Sequence, residues 1–408
     1  MPPSPALTAN LIAQIAYGLF AMTVCLPSMA EWGALFSRPQ DQVQLTFSGF
    51  VLTFGVLQLA YGPLSDRLGR RAMILWGLSV CIVGSVMAAQ ASDLPLLVAA
   101  RALQGAGAAA GMVVGRAAVQ DLFHGAQRTR VMAYVGMTLG LCPPLGTVVG
   151  GQIHVALGWQ FNFVLVAAMG VVLFAAAWWG LPRRRAVEPA PGASDDGVAA
   201  AGLSALGHMG RSYAQLLRRP DYLWHAAVLA FTTAAFHSFL AGAPLVLRSY
   251  GIGPGEVGFF IMTVPLAYIV GNFVTSRLVQ RLGGAVLMVV GQGLSLTGTV
   301  VLLGLGLAGV HTPLAFVLPL MLLGVGHGML VPPCIVAMVA LVPALAGAAS
   351  ALGGVSQQFA GAIGGYLVGW VDHASHTGLA VIMLCATVFA SLARTFAARS
   401  DRVPRKAA

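Results

Sequence analysis

Two histidines, His237 and His327, lie inside the long apolar runs of this sequence. Imidazole titrates near neutral pH, so either side chain could take up and release a proton within a membrane. A neutral histidine held by hydrogen bonds in a helix bundle explains each position equally well. Every Asp and Glu lies at or beyond the end of an apolar run, or in the polar central stretch. Among these carboxylates, Glu31 is a third and weaker proton-carrying candidate, because water reaches the end of its run.

The residue patterns of enzymes are missing from the sequence. It contains no nucleophile–base pair, no metal-ligand cluster and no nucleotide-binding loop. Its five cysteines all fall inside apolar runs, without a C-x-x-C pair, and are best explained as small buried apolar residues. We therefore expect no enzymatic activity, no cofactor and no metal site.

A charged segment follows the second apolar run and has the sequence Gly-Pro-Leu-Ser-Asp-Arg-Leu-Gly-Arg-Arg. Its glycines, Gly62 and Gly69, allow a close helix approach and a tight turn. Its charged side chains can pair with one another and with helix ends at the membrane face. They are Asp66, Arg67, Arg70 and Arg71. A simple basic loop would not need an acid and two glycines at these spacings, so we favour a functional loop.

Composition indicates which elements must position these residues. The 408-residue chain is 58% hydrophobic and 8% charged, with a mean hydropathy of +0.84, whereas soluble proteins carry roughly 25% charged residues. Lipid must therefore surround most of the chain. The apolar runs are continuous, which is typical of membrane helices and not of barrel strands. We predict an all-α membrane protein with twelve transmembrane helices near 10–30, 43–63, 72–91, 95–118, 129–151, 160–181, 222–246, 256–277, 285–308, 313–340, 347–371 and 377–398.

The basic residues predict the orientation of these helices. Eighteen of the 22 Lys and Arg residues lie on one side of the predicted membrane, and only Arg38 and Arg248 lie on the other. The positive-inside rule then places both termini and the central stretch in the cytoplasm. The net charge of +10 is thus a topology signal, and we expect no nucleic-acid partner. The predicted units are a six-helix half over 1–181, a cytoplasmic linker over 182–220, and a second six-helix half with a basic tail over 221–408.

The two halves share short segments at one constant offset. Arg-Leu-Gly at 67–69 recurs at 281–283, and the pair Gly150-Gly151 recurs at 364–365. Both halves have six predicted spans and begin on the same side, so the repeat is parallel. Parallel six-helix halves with a binding site between them are a transporter architecture.

Three motifs resemble those of a known family. The charged segment after the second span resembles the loop signature of the major facilitator superfamily, and Arg101 and Gln104 in the fourth span resemble its second motif. An arginine within a span is costly and functional by default, although an arginine that snorkels to the interface is the alternative. In the fifth span, the segment 140–151 resembles the motif of drug–proton antiporters, although an ordinary face of small packing residues is the alternative. Its packing and kinking residues are Pro143, Pro144, Gly146, Gly150 and Gly151.

Taken together, these segments resemble the bicyclomycin/chloramphenicol-resistance (Bcr/CflA) branch of the drug–proton antiporters. The resemblance implies a major facilitator fold. It also implies a charged loop that latches the outward-facing state through Asp121 in the fourth span, which we expect Arg70 to meet. The sequence departs from the pattern at two positions. Thr147 stands where the antiporter motif usually has proline, and Thr23 stands where the branch commonly has an acid, which removes the usual carboxylate proton carrier.

Other polar or aromatic side chains within the spans could line a substrate cavity. They are Tyr17, Thr23, Thr138, Tyr268, Asn272, Gln357 and Gln358. We expect a monomeric, multi-pass protein of a bacterial-type inner membrane, with the lipid bilayer, protons and a small-molecule substrate as its partners.

The first functional interpretation is proton-coupled efflux of drugs or other small amphipathic organic molecules. An exporter of a sugar, an amino acid or another metabolite, or an uncoupled carrier of the same fold, is the alternative. A membrane sensor that transports nothing is a third interpretation, and the charged loop weighs against it because a sensor need not alternate access.

Overall fold

A computed structural model describes residues 5–182 and 210–402 of the chain, and these ranges are almost entirely helical, with no strand. We number the helices by the predicted span that each contains. They are α1 (Pro5–Thr23), α2 (Gln40–Leu68), α3 (Arg70–Ala89), α4 (Leu94–Leu122), α5 (Gly125–Leu157), α6 (Gln160–Gly180), α7 (Pro220–Ser249), α8 (Pro254–Ile261 and Thr263–Leu282), α9 (Gly284–Leu307), α10 (Pro313–Ala340), α11 (Ala346–Leu367) and α12 (Thr377–Arg402). A 3-10 turn at Leu26–Ser28 and a short helix at Met29–Leu35 continue α1.

Eleven helices in the described ranges are long and apolar enough to cross a membrane. The remaining predicted span corresponds to α11, which has 22 residues and is therefore about 33 Å long at 1.5 Å per residue. It is less apolar than the others because it is rich in glycine and contains Ser and Gln. The predicted all-α membrane fold is confirmed. Most of the predicted linker over 182–220 and the end of the basic tail lie outside the described residues, and the domain boundaries stay a prediction.

The two halves contain the same turn at equivalent places. Gly69 follows α2 with a φ of 91°, and Gly283 follows α8 with a φ of 77°. Glycine adopts positive φ at little cost, so the turn explains why Arg-Leu-Gly recurs in the sequence. Both turns lie at the end of the bundle that carries Arg67, Arg70 and Arg71, which we call the basic face. The other end is called the opposite face.

Glycines bring the fifth helix into backbone contact with two neighbours. A Cβ atom added at Gly150 would collide with the carbonyl oxygen of Val24, which directly follows α1. A Cβ atom added at Gly151 would collide with the carbonyl oxygen of Pro254, the first residue of α8. One side of α5 therefore packs against α1 of the first half, and an adjacent side packs against α8 of the second half.

Polar contacts also join the halves at the opposite face. The Nε2 atom of Gln152 donates a hydrogen bond of 2.7 Å to the carbonyl oxygen of Gly255, and the guanidinium of Arg248 donates to that of Ala30. One to two turns deeper, Gln44 Nε2 donates to the carbonyl oxygen of Ala241 at 3.2 Å. These contacts close the bundle at the opposite face.

We expect the substitution Gly150→Ala to destabilise the folded protein. Its new Cβ would meet a backbone carbonyl, which cannot rotate away as a side chain can, and overpacking of this kind costs about 1–3 kcal/mol. The measurement is the Tm of the purified protein in detergent. Gly136→Ala is the matched control, because it lies on the same helix and nothing lies within 4 Å of its Cβ position. An equal Tm for the two variants would contradict the close packing of α1 on α5.

Candidate functional site

Arg70 joins three helices at the basic face. Its guanidinium contacts the Asp66 carboxylate at 2.5 Å, and its Nε atom donates to Asp121 Oδ2 at 2.9 Å. It also donates to the hydroxyl of Ser65 at 2.5 Å. Asp66 ends α2, Arg70 begins α3 and Asp121 ends α4, so the pairing of Arg70 with Asp121 that the sequence predicts is present. The gating role of this cluster stays a prediction.

The charges of this cluster are exposed to different degrees. The side chains of Asp66 and Asp121 are 61% and 46% exposed, and that of Arg70 is 27% exposed. Exposed ion pairs contribute only about 0–1 kcal/mol each, so such contacts can break and form again at small cost. Gly62 and Arg67 lie in the last turns of α2, and Arg71 lies over the ring of Trp178 at 5.1 Å. The cluster is thus suited to a contact that is remade in a cycle.

Arg101 is buried in the centre of the first half, with a side chain that is 0% exposed. Its guanidinium donates to the carbonyl oxygens of Ala21 at 2.9 Å and Met22 at 3.2 Å, and to the side-chain oxygen of Gln104. It also lies over the ring of Phe50 at 4.4 Å. The side chain does not snorkel to the interface. Its functional role stays a prediction.

The break in α1 supplies the acceptors for this arginine. The helix ends at Thr23, within the apolar span, and the last four carbonyls of a helix have no partner inside it. These groups also carry the negative end of the helix dipole. The carbonyl oxygens of Ala21 and Met22 therefore offer Arg101 neutral but well-oriented acceptors. Gln104, the third partner of Arg101, donates a hydrogen bond of 2.8 Å to Ser85 Oγ, which fixes its position.

The residues of the antiporter-like motif lie along α5 between the two halves. Pro143 and Pro144 lie within the helix. Thr147 follows them, and its hydroxyl donates a hydrogen bond of 2.9 Å to the carbonyl oxygen of Pro144. A Cβ atom at Gly146 would collide with Thr23 of α1, and one at Gly258 of α8 would meet the backbone of Thr147 at 2.6 Å. The hydroxyl at position 147 therefore fits beside the second half, where the related motif has proline.

The two histidines lie together in the middle of the bundle. The ring of His327 on α10 is stacked on that of Phe236 at 4.9 Å and lies 5.4 Å from that of Tyr268 on α8. His237 on α7 is buried, shares a hydrogen bond of 3.1 Å with the carbonyl oxygen of Thr233, and lies 5.9 Å from the ring of Phe47 in the first half. The ring of Phe236 lies next to both imidazoles, 6.3 Å from that of His237 and 4.9 Å from that of His327.

Most of the predicted cavity residues lie around these histidines or between the halves. Asn272 donates to the carbonyl oxygen of Tyr268 at 3.1 Å, and Thr233 donates to Gln357 at 3.4 Å. Gln358 lies directly against Gly55 of the first half. Thr138 is half-buried on α5 and donates to the carbonyl oxygen of Tyr134 at 2.9 Å.

Tyr17 and Thr23 instead lie in the interior of the first half. The Tyr17 hydroxyl donates to the carbonyl oxygen of Val166 at 2.8 Å, and the Thr23 hydroxyl donates to that of Leu19 at 2.9 Å. Both side chains are buried. These contacts favour a packing role for the two residues.

Glu31 contacts a histidine, His154, in a pairing that the sequence did not predict. Its carboxylate lies 3.0 Å from His154 Nε2, and the other ring nitrogen of His154 is 2.8 Å from Ser28 Oγ. Glu31 also lines a cavity of about 200 Å³ at the opposite face, together with Arg248. The signal available in the sequence was weak, because a histidine at the end of a span is most simply an interfacial residue.

Arg116 on α4 was also missed, although the sequence carries a signal for it. It lies inside the fourth predicted span, where the same argument that singles out Arg101 applies. Its side chain is exposed.

We expect Asp66→Asn to abolish transport while membrane insertion stays intact. The substitution removes one of the two carboxylate partners of Arg70, in the charge cluster to which the gating role is assigned. Transport by membrane vesicles, normalised to the amount of protein, measures the effect. Asp93→Asn is the control: it is also an acid-to-amide change, but it lies at the other end of α4, where Asp93 caps the helix and asparagine caps equally well. Normal transport by well-expressed Asp66→Asn would refute the gating role.

Comparisons with known proteins agree with this architecture. The family model described as Major Facilitator Superfamily matches residues 7–365. A crystal structure of a peptide transporter in complex with alafosfalin has a TM-score of 0.77 and 16% identity, and the match covers 98% of this chain and 95% of that one. At this identity, the likeness shows a shared fold.

Curated relatives have names that refer to drug resistance. The chain is 33% identical over 180 residues to Multidrug resistance protein D of Escherichia coli (strain K12), a match that spans 44% of this chain and 45% of that protein. It is 26% identical over 331 residues to a Chloramphenicol resistance protein of Pseudomonas aeruginosa, which covers 79% and 74% of the two chains. It is 28% identical over 306 residues to Multidrug transporter MdfA of Yersinia pestis bv. Antiqua (strain Angola), which covers 74% and 71%. With the family model matched over most of its length, the chain belongs to the Major Facilitator Superfamily.

Proposed function

We propose that this protein is a secondary transporter that exports drugs or other small amphipathic organic molecules in exchange for protons. The relatives named for resistance to drugs and chloramphenicol support this substrate class. The observation that carries the proposal is the central cluster of His237, His327 and Tyr268, which lies in the second half at a distance from both faces and meets Phe47 of the first half through His237. A binding site in the middle of the membrane is what alternating access requires.

The proposed orientation places the basic face and both termini in the cytoplasm. The bundle is closed at the opposite face by contacts of Arg248 and Gln152, so the central site is reached from the cytoplasmic side. Substrate binds there first. The halves then rotate, the contacts at the opposite face break, and the basic face closes.

A histidine relay accounts for proton exchange without a carboxylate in the middle of the membrane. Every Asp and Glu in the described ranges lies near or beyond a helix end, so His237 and His327 are the titratable candidates at mid-membrane. A proton taken up from one face and released to the other requires a different proton affinity in the two states, and imidazole is suited to such a change near neutral pH.

The first experiment compares a strain that lacks the protein with one that overproduces it, across a panel of toxic organic compounds. We expect the overproducing strain to tolerate higher concentrations of several compounds and to retain less of them inside the cell. Cells that overproduce Asp66→Asn are the control for expression stress. Equal tolerance and equal accumulation in all strains would contradict drug export.

The second experiment measures proton movement driven by substrate in proteoliposomes. We expect His237→Gln or His327→Gln to abolish it, because either substitution removes a titratable group from the central cluster. Glu31→Gln is expected to have a smaller effect, since Glu31 lies at the opposite face. His225→Gln is the matched control, because His225 lies on the same helix as His237 but near the basic face, where its ring shares a hydrogen bond with the backbone carbonyl oxygen of Asp221. If all of these variants move protons like the wild type, the histidine assignment is wrong.

An uncoupled carrier of the same fold is the second candidate. The position of the carboxylates favours it, because acids that could carry a proton lie at the helix ends in the described ranges. The same proteoliposomes separate the two candidates. Substrate movement without proton movement in the wild type would establish the uncoupled carrier.

A further inference from the structure

An open apolar groove lies between α3 and α6, on the outer surface of the first half. It has a volume of about 280 Å³ and is lined by Ser79, Ile82, Val83, Val171 and Phe174. The two helices meet beside it, where a Cβ atom added at Gly170 would lie 2.7 Å from the side chain of Ile82. Both helices pack mainly against each other and the other helices of the first half, so their uncovered sides face the lipid.

Two stacked aromatic rings connect the groove with the basic face. The ring of Phe174, which lines the groove, is stacked on that of Trp178 at 6.2 Å. Trp178 lies in the last turn of α6, which ends at Gly180, and the guanidinium of Arg71 lies over its ring at 5.1 Å. Tryptophan at the end of a span is typical of the membrane interface. Arg71 is therefore placed at the level of the lipid headgroups, next to an apolar surface that continues into the groove.

The charge of Arg71 is available to a ligand. Among the described residues Arg71 has no ion pair, and the acids of the neighbouring cluster, Asp66 and Asp121, both contact Arg70 instead. A guanidinium that lies over an aromatic ring keeps its N–H donors in its own plane, where they match the oxygens of a phosphate. Three more arginines follow α6 in the sequence, at 183–185. A basic cluster next to a span attracts anionic headgroups.

The separation of the arginine and the groove fits one acyl chain. Ser79 and Val83 line the groove on α3, and they lie about 12 and 18 Å from Arg71 along the helix, at 1.5 Å per residue. The hydrocarbon layer of one leaflet is about 15 Å thick. A lipid whose phosphate lies at Arg71 would therefore place the end of an acyl chain in the groove.

We propose that Arg71, Trp178 and the groove bind one anionic phospholipid from the leaflet at the basic face. Its phosphate accepts hydrogen bonds from the Arg71 guanidinium, and one of its acyl chains lies in the groove between α3 and α6. The second half does not repeat this site, because Gly284 and Ala285 stand at the positions equivalent to Arg70 and Arg71 in the internal repeat. The inference is independent of what the protein transports.

Lipid binding to the purified full-length protein in detergent tests the charge preference. The probes are dioleoyl phosphatidylglycerol and dioleoyl phosphatidylcholine, which have the same acyl chains but differ in net charge. Native mass spectrometry at increasing lipid concentrations gives the fraction of protein that carries one lipid. We expect wild type to bind phosphatidylglycerol more tightly than phosphatidylcholine. Equal affinities, or no bound lipid of either kind, would overturn the inference.

Variants of Arg71 then assign the preference to this residue. We expect Arg71→Gln to weaken phosphatidylglycerol binding by about fivefold, as for the loss of one basic residue that faces anionic lipid. Binding of phosphatidylcholine should change much less. Arg277→Gln is the matched control, because Arg277 also lies over an aromatic ring, that of Phe273 at 5.2 Å, but on α8 of the second half. Binding by a folded Arg71→Gln variant like that of wild type, or an equal loss in Arg277→Gln, would contradict the proposed site.

A second pair of variants tests the groove without changing any charge. Ser79→Leu adds apolar volume inside the groove, and we expect it to weaken the binding of both lipids because the acyl chain loses its space. Ser79→Ala is its control, since it removes the same hydroxyl without filling the groove. If the two variants bind phosphatidylglycerol equally well, the acyl chain does not occupy the groove and the inference is wrong. These measurements do not involve transport, so the inference and the proposed function can fail separately.

Discussion

A buried arginine and the broken end of the first helix stabilise each other, and the arrangement of the other helices depends on this contact. Lipid offers no hydrogen bonds, so a helix that ends inside the membrane must find partners for its last carbonyls within the protein. Arg101 donates to two of them, at Ala21 and Met22. The break then lets the chain turn at Leu26–Ser28, so that Val24 lies on Gly150 of α5 and Ala30 meets Arg248 of the second half. The cost of burying a guanidinium is thereby offset by groups that would otherwise lack partners.

The contacts between the halves include close backbone packing, as at Gly151, and single side-chain hydrogen bonds. Inside the first half, glycines such as Gly107 bring backbones together at distances that allow no movement. Between the halves at the opposite face, the contacts include single side chains that donate to carbonyl oxygens, as Gln152 does. At the basic face, the ion pairs of Arg70 are exposed, and they join α2, α3 and α4 of the first half to one another. Rotation of one half against the other must break the hydrogen bonds at the opposite face and separate the close contact of α5 with α8.

Much of this arrangement could be predicted from the residues themselves. Continuous apolar runs predict the helices, Arg-Leu-Gly predicts the repeated glycine turn, and the resemblance of the charged loop to the family motif implies the contact of Asp121 with Arg70. The direction in which a side chain points could not be predicted for Tyr17 and Thr23, because lipid and protein interior are both apolar and hydropathy does not distinguish the faces of a helix. The partner of Glu31 depends on how α1 turns after its break, which no local pattern encodes. Arg116 could have been predicted as a functional candidate, since a charge inside a predicted span is a functional signal wherever it occurs.

The rotation of the halves is tested most directly by distances between spin labels. One pair, at Arg38 and Ser249, spans the halves at the opposite face, and a second pair, at Gln127 and Gln280, spans them at the basic face. Each pair is introduced in a background without the native cysteines. The distances are measured by double electron–electron resonance in lipid nanodiscs, with and without a transported compound and at two pH values. We expect the distance at one face to lengthen as the distance at the other shortens. Single, unchanged distances at both faces under all conditions, in a protein that still transports, would contradict it.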